Sequence, residues 1–182
     1  MLELDPSVVD LAEDELGLVL DNDLRARTGD ARNNVRGLAL DSVDLVIGDA
    51  FGGRSVPWHL TTREFLEDLD RILRPGGVYV LNPIDQPPLG FARAEVATLR
   101  AVWDHVAIVG PRERVAGEAG GNFILVASDR PLEISAIEAA SRGRGDPEAT
   151  ASSAAELDGF VGGAEVLTDE HAPVDQLLRG DT

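Results

Sequence analysis

Three carboxylates stand at places in this chain where chemistry is often done: Glu3 in "LELDP", Asp30 in "TGDAR" and Asp49 in "VIGDAF". Each falls at or just after the end of a stretch that reads as a strand, and in open α/β sheets ligands collect at the carboxyl ends of strands. A carboxylate after the second strand of a nucleotide-binding sheet can accept both ribose hydroxyls. Glu3 fits that role, and equally that of a surface acid favoured by the dipole of the following helix. Asp30 can accept from an exocyclic amine such as adenine N6, or simply cap a helix over 31–36. Asp49 follows a strongly apolar run and precedes a glycine-rich segment. A carboxylate there can act as a general base or stabilise a cation, or it can serve the turn.

The elements that must position these acids alternate along the chain. Asp5 is an N-cap with Pro6 at the first helical position, and Val8, Leu11, Ala12 and Leu16 follow at helical spacing up to Gly17. A helix over 6–16 therefore follows a strand that ends near Glu3. "LRART" (24–28) reads as a short strand. "SVDLVIGDAF" (42–51) reads as a strand covered on both faces, because its apolar residues are nearly continuous. Thr61 and Glu64 form a capping-box pattern that opens a helix reaching Leu73, with Phe65, Leu69, Ile72 and Leu73 on its apolar face.

"RPGG" (74–77) stops that helix, and "VYVLN" (78–82) is the next strand. A helix over 91–103 and strands over 105–110 and 122–128 follow. A helical pattern begins at 130, residues 142–153 read as a flexible loop, and short helical and extended pieces complete the tail. Alternating strands and helices predict a single α/β domain over 1–182, built on a mostly parallel sheet.

Composition narrows the chemistry. The chain has 182 residues and a formal net charge of −17. That charge disfavours nucleic acid, which needs a basic footprint, and anionic membranes; it favours cationic ligands. No apolar run approaches the length of a membrane helix, and the N-terminus has no signal-like pattern, so the chain reads as cytoplasmic. Cysteine is absent and every basic side chain other than histidine is arginine. Thiolate chemistry, disulfides, lysine Schiff bases and a Walker-type lysine are thereby excluded. His59, His105 and His171 lie far apart with no ligand spacing, so no metal is expected. Gly-x-Ser-x-Gly and a dinucleotide fingerprint are both missing. A displacement at carbon next to a sulfonium fits this inventory, because the leaving group is already activated and the protein has only to orient reactants and take a proton.

Several stretches together carry a resemblance: "LELDPSVVDLA" (2–12), "RTGDAR" (27–32), "VDLVIGDAF" (43–51), "VPWHLTTREFLEDLDRILRPGGVYVLN" (56–82), "GNFILVAS" (121–128) and "LTDEHAPVDQLL" (167–178). In order and spacing they resemble the spermidine synthase family, the polyamine aminopropyltransferases, and some are shared with methyltransferases. The resemblance implies a Rossmann-like S-adenosylmethionine-dependent methyltransferase fold. It implies transfer of an aminopropyl group from decarboxylated S-adenosylmethionine to an amine, with no metal. The partners would be a nucleoside sulfonium and a cationic amine. By position, Glu3 matches the acid that holds the ribose hydroxyls. Asp30 matches the acid that reads the adenine amine, with the Ala31 backbone beside the ring. Asp49 matches the catalytic acid that helps deprotonate the attacking amine.

Two departures bear on function. Polyamine synthases carry a second acid three residues after the catalytic one, where this chain has Gly52. The family's first strand, glycine-rich loop and small N-terminal β-domain would all precede Met1, so the chain reads as a truncated or divergent member. Strands that lose a central neighbour must re-pair, recruit another copy or a partner chain, or belong to a longer protein. The alternatives to aminopropyl transfer are a methyltransferase using intact S-adenosylmethionine and a non-catalytic binding module of the same fold.

Overall fold

The computed structural model describes residues 1–51, 56–145 and 149–179. These form two compact units, 1–39 and 40–182.

The first unit is a small βαβα arrangement. Strand β1 (Leu2–Glu3) leads into helix α1 (Pro6–Leu16), and β2 (Arg27–Thr28) leads into α2 (Ala31–Arg36). The Asp5 carboxylate accepts from the Ser7 amide at 2.9 Å, satisfying one of the amides that a helix start leaves without an intrahelical partner. Gly17, at φ +73°, ends α1 in the left-handed conformation that glycine enters at little cost. β1 and β2 are parallel, with Leu2 opposite Arg27 and Glu3 opposite Thr28. The second strand is shorter than the sequence predicts: only Arg27 and Thr28 of "LRART" pair.

The second unit is built on a sheet of five strands in the order β3-β4-β8-β6-β9: β3 (Val43–Gly48), β4 (Leu73–Leu81), β6 (His105–Gly110), β8 (Ile124–Ser128) and β9 (Ala149–Ala151). Two short strands, β5 (Ile84–Asp85) and β7 (Gly121–Asn122), pair separately. The helices are α3 (Arg63–Ile72), α4 (Gly90–Arg100), α5 (Arg112–Val115), α6 (Ile134–Gly143), α7 (Ala154–Val161) and α8 (Val174–Arg179).

The sheet is mixed, which corrects the expectation of a mostly parallel one. β3 and β4 are parallel, but β4–β8, β8–β6 and β6–β9 are antiparallel. The reason lies between β6 and β8. That connection holds one helical turn and a two-residue strand, not the long crossover helix a parallel return requires. The chain turns back on itself, and β8 inserts between β4 and β6.

Helix α3 shows how this unit closes. Phe65, Leu66, Leu69 and Ile72 recur at helical spacing and are all buried. Full burial of one such side chain contributes about 1.5–3 kcal/mol. The helix begins one residue later than the sequence predicts. Thr62, not Thr61, is the N-cap and accepts from the Phe65 amide. Glu64 does not close a capping box; its carboxylate accepts from the Asp169 amide at 2.9 Å. Helix α4 lies deepest, with Phe91, Ala92, Ala94, Val96 and Leu99 all buried.

A second correction concerns β3. Leu45 is 51% exposed and Ile47 65% exposed. The two lie two residues apart and so share one face of the strand, and its continuous apolar run is therefore not covered on both faces. Within the predicted loop, α6 extends to Gly143 and Ala149–Ala151 form β9 against β6; residues 146–148 lie outside the described ones.

Candidate functional site

In the first unit, the parallel pairing of β1 with β2 brings Glu3 and Asp30 to the same end of the strands. The Gly29 amide donates to the Glu3 carbonyl at 2.8 Å, directly before Asp30. Gly29 sits at φ +110°, a conformation open to glycine, and this lets the chain turn from β2 into α2. The Glu3 carboxylate is half-buried, and its Oε1 accepts from the Asp5 amide at 3.0 Å. Asp30 Oδ1 accepts from the Asn33 amide at 2.9 Å, so Asp30 is the N-cap of α2 and Ala31 is its first residue. The capping role read from the sequence is therefore real. The cap is made by an acid that stands at the strand end.

Asp49 lies in the second unit, immediately after β3. Its position is set by strand register. Gly48 is opposite Leu81, so the residues that follow, Asp49 and Asn82, leave the sheet side by side. The Asn82 amide donates to the Gly48 carbonyl at 3.0 Å. The Asn82 side-chain Nδ2 donates to Asp49 Oδ1, also at 3.0 Å. Asn122, in β7, donates its own Nδ2 to Asn82 Oδ1 at 3.1 Å. Asp49 is exposed. Gly52, which stands in place of a second acid, lies outside the described residues.

Two asparagines thus accompany Asp49 that motif reading missed. Asn82 was legible in principle: it is the first residue past "VYVL", and parallel pairing of that strand with "VDLVIG" would place it beside Asp49. Asn122 reaches the site only because β8 runs back between β4 and β6, which the sequence does not announce.

The architecture has close counterparts among solved structures. A probable spermidine synthase from Corynebacterium glutamicum superposes with a TM-score of 0.80 and 32% identity, over 92% of this chain and 62% of that one. The polyamine aminopropyltransferase of Vibrio vulnificus is 36% identical over 105 residues, which is 57% of this chain and 34% of that protein. By these likenesses the chain is a relative of the spermidine synthases.

This spermidine synthase relative spans about a third of the length of its curated Vibrio counterpart and about three-fifths of the corynebacterial chain. No family model matches it. Human methyltransferase-like protein 13, solved with SAH, shares the fold at a TM-score of 0.57 and 24% identity, over 72% of this chain and 61% of that one. A spermidine synthase in complex with the transition-state analogue AdoDATO does so at 0.52 and 18%, over 71% and 43%. The α/β fold of S-adenosylmethionine-dependent methyltransferases is therefore shared across the group.

Other features of the chain lie away from Asp49. A cavity of about 360 Å³, lined in part by Trp103, Asp104, His105, Leu132 and Leu157, opens where β6 begins. β6 runs in the same direction as β4, so this is the end of the sheet opposite Asp49. Among the described residues no cluster of histidine, aspartate and glutamate could hold a metal ion. No described helix is long and apolar enough to cross a membrane.

Two buried acids escaped the sequence reading. Asp85 is 1% exposed. It accepts from the Gln86 amide at 2.8 Å and the Ala92 amide at 2.9 Å, fixing the start of α4. Burial raises its carboxyl pKa, and these backbone donors oppose that rise. Glu95 is fully buried among apolar residues of α4, and among the described residues neither of its carboxylate oxygens has a hydrogen-bond partner. Burial pushes its carboxyl well above the ordinary range. The same burial, with Glu95 as a lesser cause, raises the Tyr79 hydroxyl.

Proposed function

We propose that this chain is an aminopropyltransferase of the spermidine synthase type, using decarboxylated S-adenosylmethionine as donor and a cationic amine as acceptor. The observation that carries the reading is Asp49 itself. It is an exposed carboxylate at the carboxyl end of a parallel strand, held at one oxygen by Asn82, in a relative of the spermidine synthases. Glu3 takes the ribose hydroxyls, and Asp30 takes the adenine amine with the Ala31 backbone beside the ring. The solved relatives with AdoDATO and SAH support a nucleoside ligand for this fold.

The chemistry balances without a metal. The amine nitrogen gives its lone pair to the propyl carbon next to sulfur. The carbon–sulfur bond breaks and sulfur keeps that pair, leaving as a neutral thioether, methylthioadenosine. The proton lost by the amine passes to Asp49. The protein's share is orientation and proton acceptance. The net charge of −17 favours approach of a cationic acceptor.

A second reading, methyl transfer from intact S-adenosylmethionine, is favoured by one observation: Gly52 stands where a second acid would grip a polyamine. A non-catalytic module of the same fold would keep the strands and caps but bind neither nucleoside. A ligand that binds only the native state raises the melting temperature. Stabilisation by methylthioadenosine over S-adenosylhomocysteine supports the first reading, the reverse order supports the second, and no stabilisation by either supports the third. Asp49→Asn should abolish aminopropyl transfer while leaving methylthioadenosine binding largely intact. Equal turnover in wild type and variant would overturn the role of Asp49.

The outer edge of β3 gives the reading a partner. The described residues place no strand there, and Leu45 and Ile47 are exposed beside it. Such an edge pairs readily with another strand. A second copy or a further chain supplying a strand would complete the sheet. Light scattering on wild type and Ile47→Arg tests this: an assembly lost in the variant supports pairing, and a wild-type monomer contradicts it.

A further inference from the structure

We infer that Asn82 and Asn122 form a polar relay that positions Asp49, so that one named carboxylate oxygen, Oδ2, receives the acceptor's proton. The inference rests on the proposed role of Asp49 and adds to it a direction and two residues.

The direction follows from hydrogen-bond chemistry. An ionised carboxylate only accepts, whereas an asparagine side chain carries a donor end and an acceptor end. Asp49 Oδ1 lies 3.0 Å from the Asn82 side chain, so the NH₂ of Asn82 must face it. The Asn82 carbonyl oxygen then points away, and it can be satisfied only by a donor. Asn122 Nδ2 supplies that donor at 3.1 Å. The two amide dipoles therefore align head to tail and aim their positive ends at Asp49. Turning either amide around would set two acceptors or two donors face to face.

Both asparagines are anchored through their backbones. The Asn82 amide is bonded to the Gly48 carbonyl at 3.0 Å. Asn122 pairs with Ile84 in the β5–β7 ladder, and its carbonyl accepts from Arg114 Nη1 at 3.0 Å. Orientation is thus fixed from the sheet outward: Oδ1 is occupied, and among the described residues Oδ2 accepts no hydrogen bond. Asn82 and Asn122 act through Asp49 and are positioning residues.

The relay is tested first without turnover. In ¹⁵N-labelled whole chain, the side-chain NH₂ signals of both Asn82 and Asn122 should follow the titration of Asp49 with one shared midpoint. Asp49→Asn should abolish both responses, and Asn82→Leu should abolish that of Asn122. A response at Asn82 alone, or at neither, overturns the relay. The second arm is kinetic. Asn122→Ala should lower kcat on the order of 10–100-fold, the loss expected when a reacting group is misplaced. The KM for the nucleoside should be unchanged, and Asn122→Gln should recover part of the loss. Wild-type kcat in Asn122→Ala overturns the proposal. If the wild-type chain transfers to no amine, the aminopropyltransferase reading fails, while the titration still decides the relay.

Discussion

The Thr62 hydroxyl donates to the Asp169 carboxylate over 2.7 Å, joining residues 107 positions apart in sequence. Thr62 is fully buried, and the same oxygen accepts from the Phe65 amide to cap α3. Beside it, the Arg63 amide donates to the Leu167 carbonyl at 2.8 Å and the Asp169 amide to Glu64 at 2.9 Å. The segments "HLTTREF" and "LTDEHAP" are therefore two halves of one clamp.

The clamp should be sensitive to loss of a single oxygen. Thr62→Val keeps the shape but removes both the cap and the link to Asp169. It should cost about 2–3 kcal/mol, a cap plus a part-buried charge-assisted bond. Thr62→Ser should recover most of this. Urea melts of the three proteins decide the point; a valine variant as stable as wild type would contradict it.

Glu95 should make stability fall as pH rises. Its folded pKa lies well above the unfolded value of 4.5 because burial disfavours the charged form. The stability it contributes is therefore complete below about pH 4.5 and is lost as pH climbs through the raised folded value. Glu95→Gln has nearly the same shape and no proton to lose. The variant should melt close to wild type near pH 4.5 and increasingly above it at higher pH. A difference that stays constant with pH would refute the assignment.

Gly48 should tolerate no side chain. A Cβ there would lie 2.6 Å from the Tyr79 hydroxyl and 3.1 Å from Leu81 Cδ1. Tyr79 is buried and cannot swing away freely. Gly48→Ala should cost about 1–3 kcal/mol through overpacking. It should also displace Asp49, the next residue, which a crystal structure or the Asn82 side-chain NMR signals would report.

Asp30 has a structural duty and a proposed binding duty, and serine separates them. Asp30→Ser retains an N-cap, while Asp30→Ala loses one at a cost of about 1 kcal/mol. On the proposed reading both variants should weaken methylthioadenosine binding, and only the alanine variant should lower stability. Unchanged binding in both, measured by calorimetry, would leave Asp30 with capping alone.

Local rules made much of this molecule legible. Asp5, Pro6 and Gly17 mark the ends of α1 because caps depend on neighbours in sequence. Phe65, Leu69 and Ile72 mark a buried face because helical period is a local property. The three acids at strand ends were legible for the same reason, and so was the likeness to spermidine synthases, through the order of the motifs.

Tertiary structure decided what depends on distant pairing. Nothing local in "ILVAS" says that β8 runs antiparallel between β4 and β6, yet that placement makes the sheet mixed and brings Asn122 to Asn82. Nothing local in "VDLVIG" says that Leu45 and Ile47 are exposed, because the cover over a strand's face comes from segments distant in sequence. Thr62, and not Thr61, caps α3, and its hydroxyl is also bonded to Asp169, more than a hundred residues away. The sequence by itself determined which acids stand at strand ends. Only the folded sheet determined what holds Asp49, because its Asn82 partner comes from strand register and not from spacing along the chain.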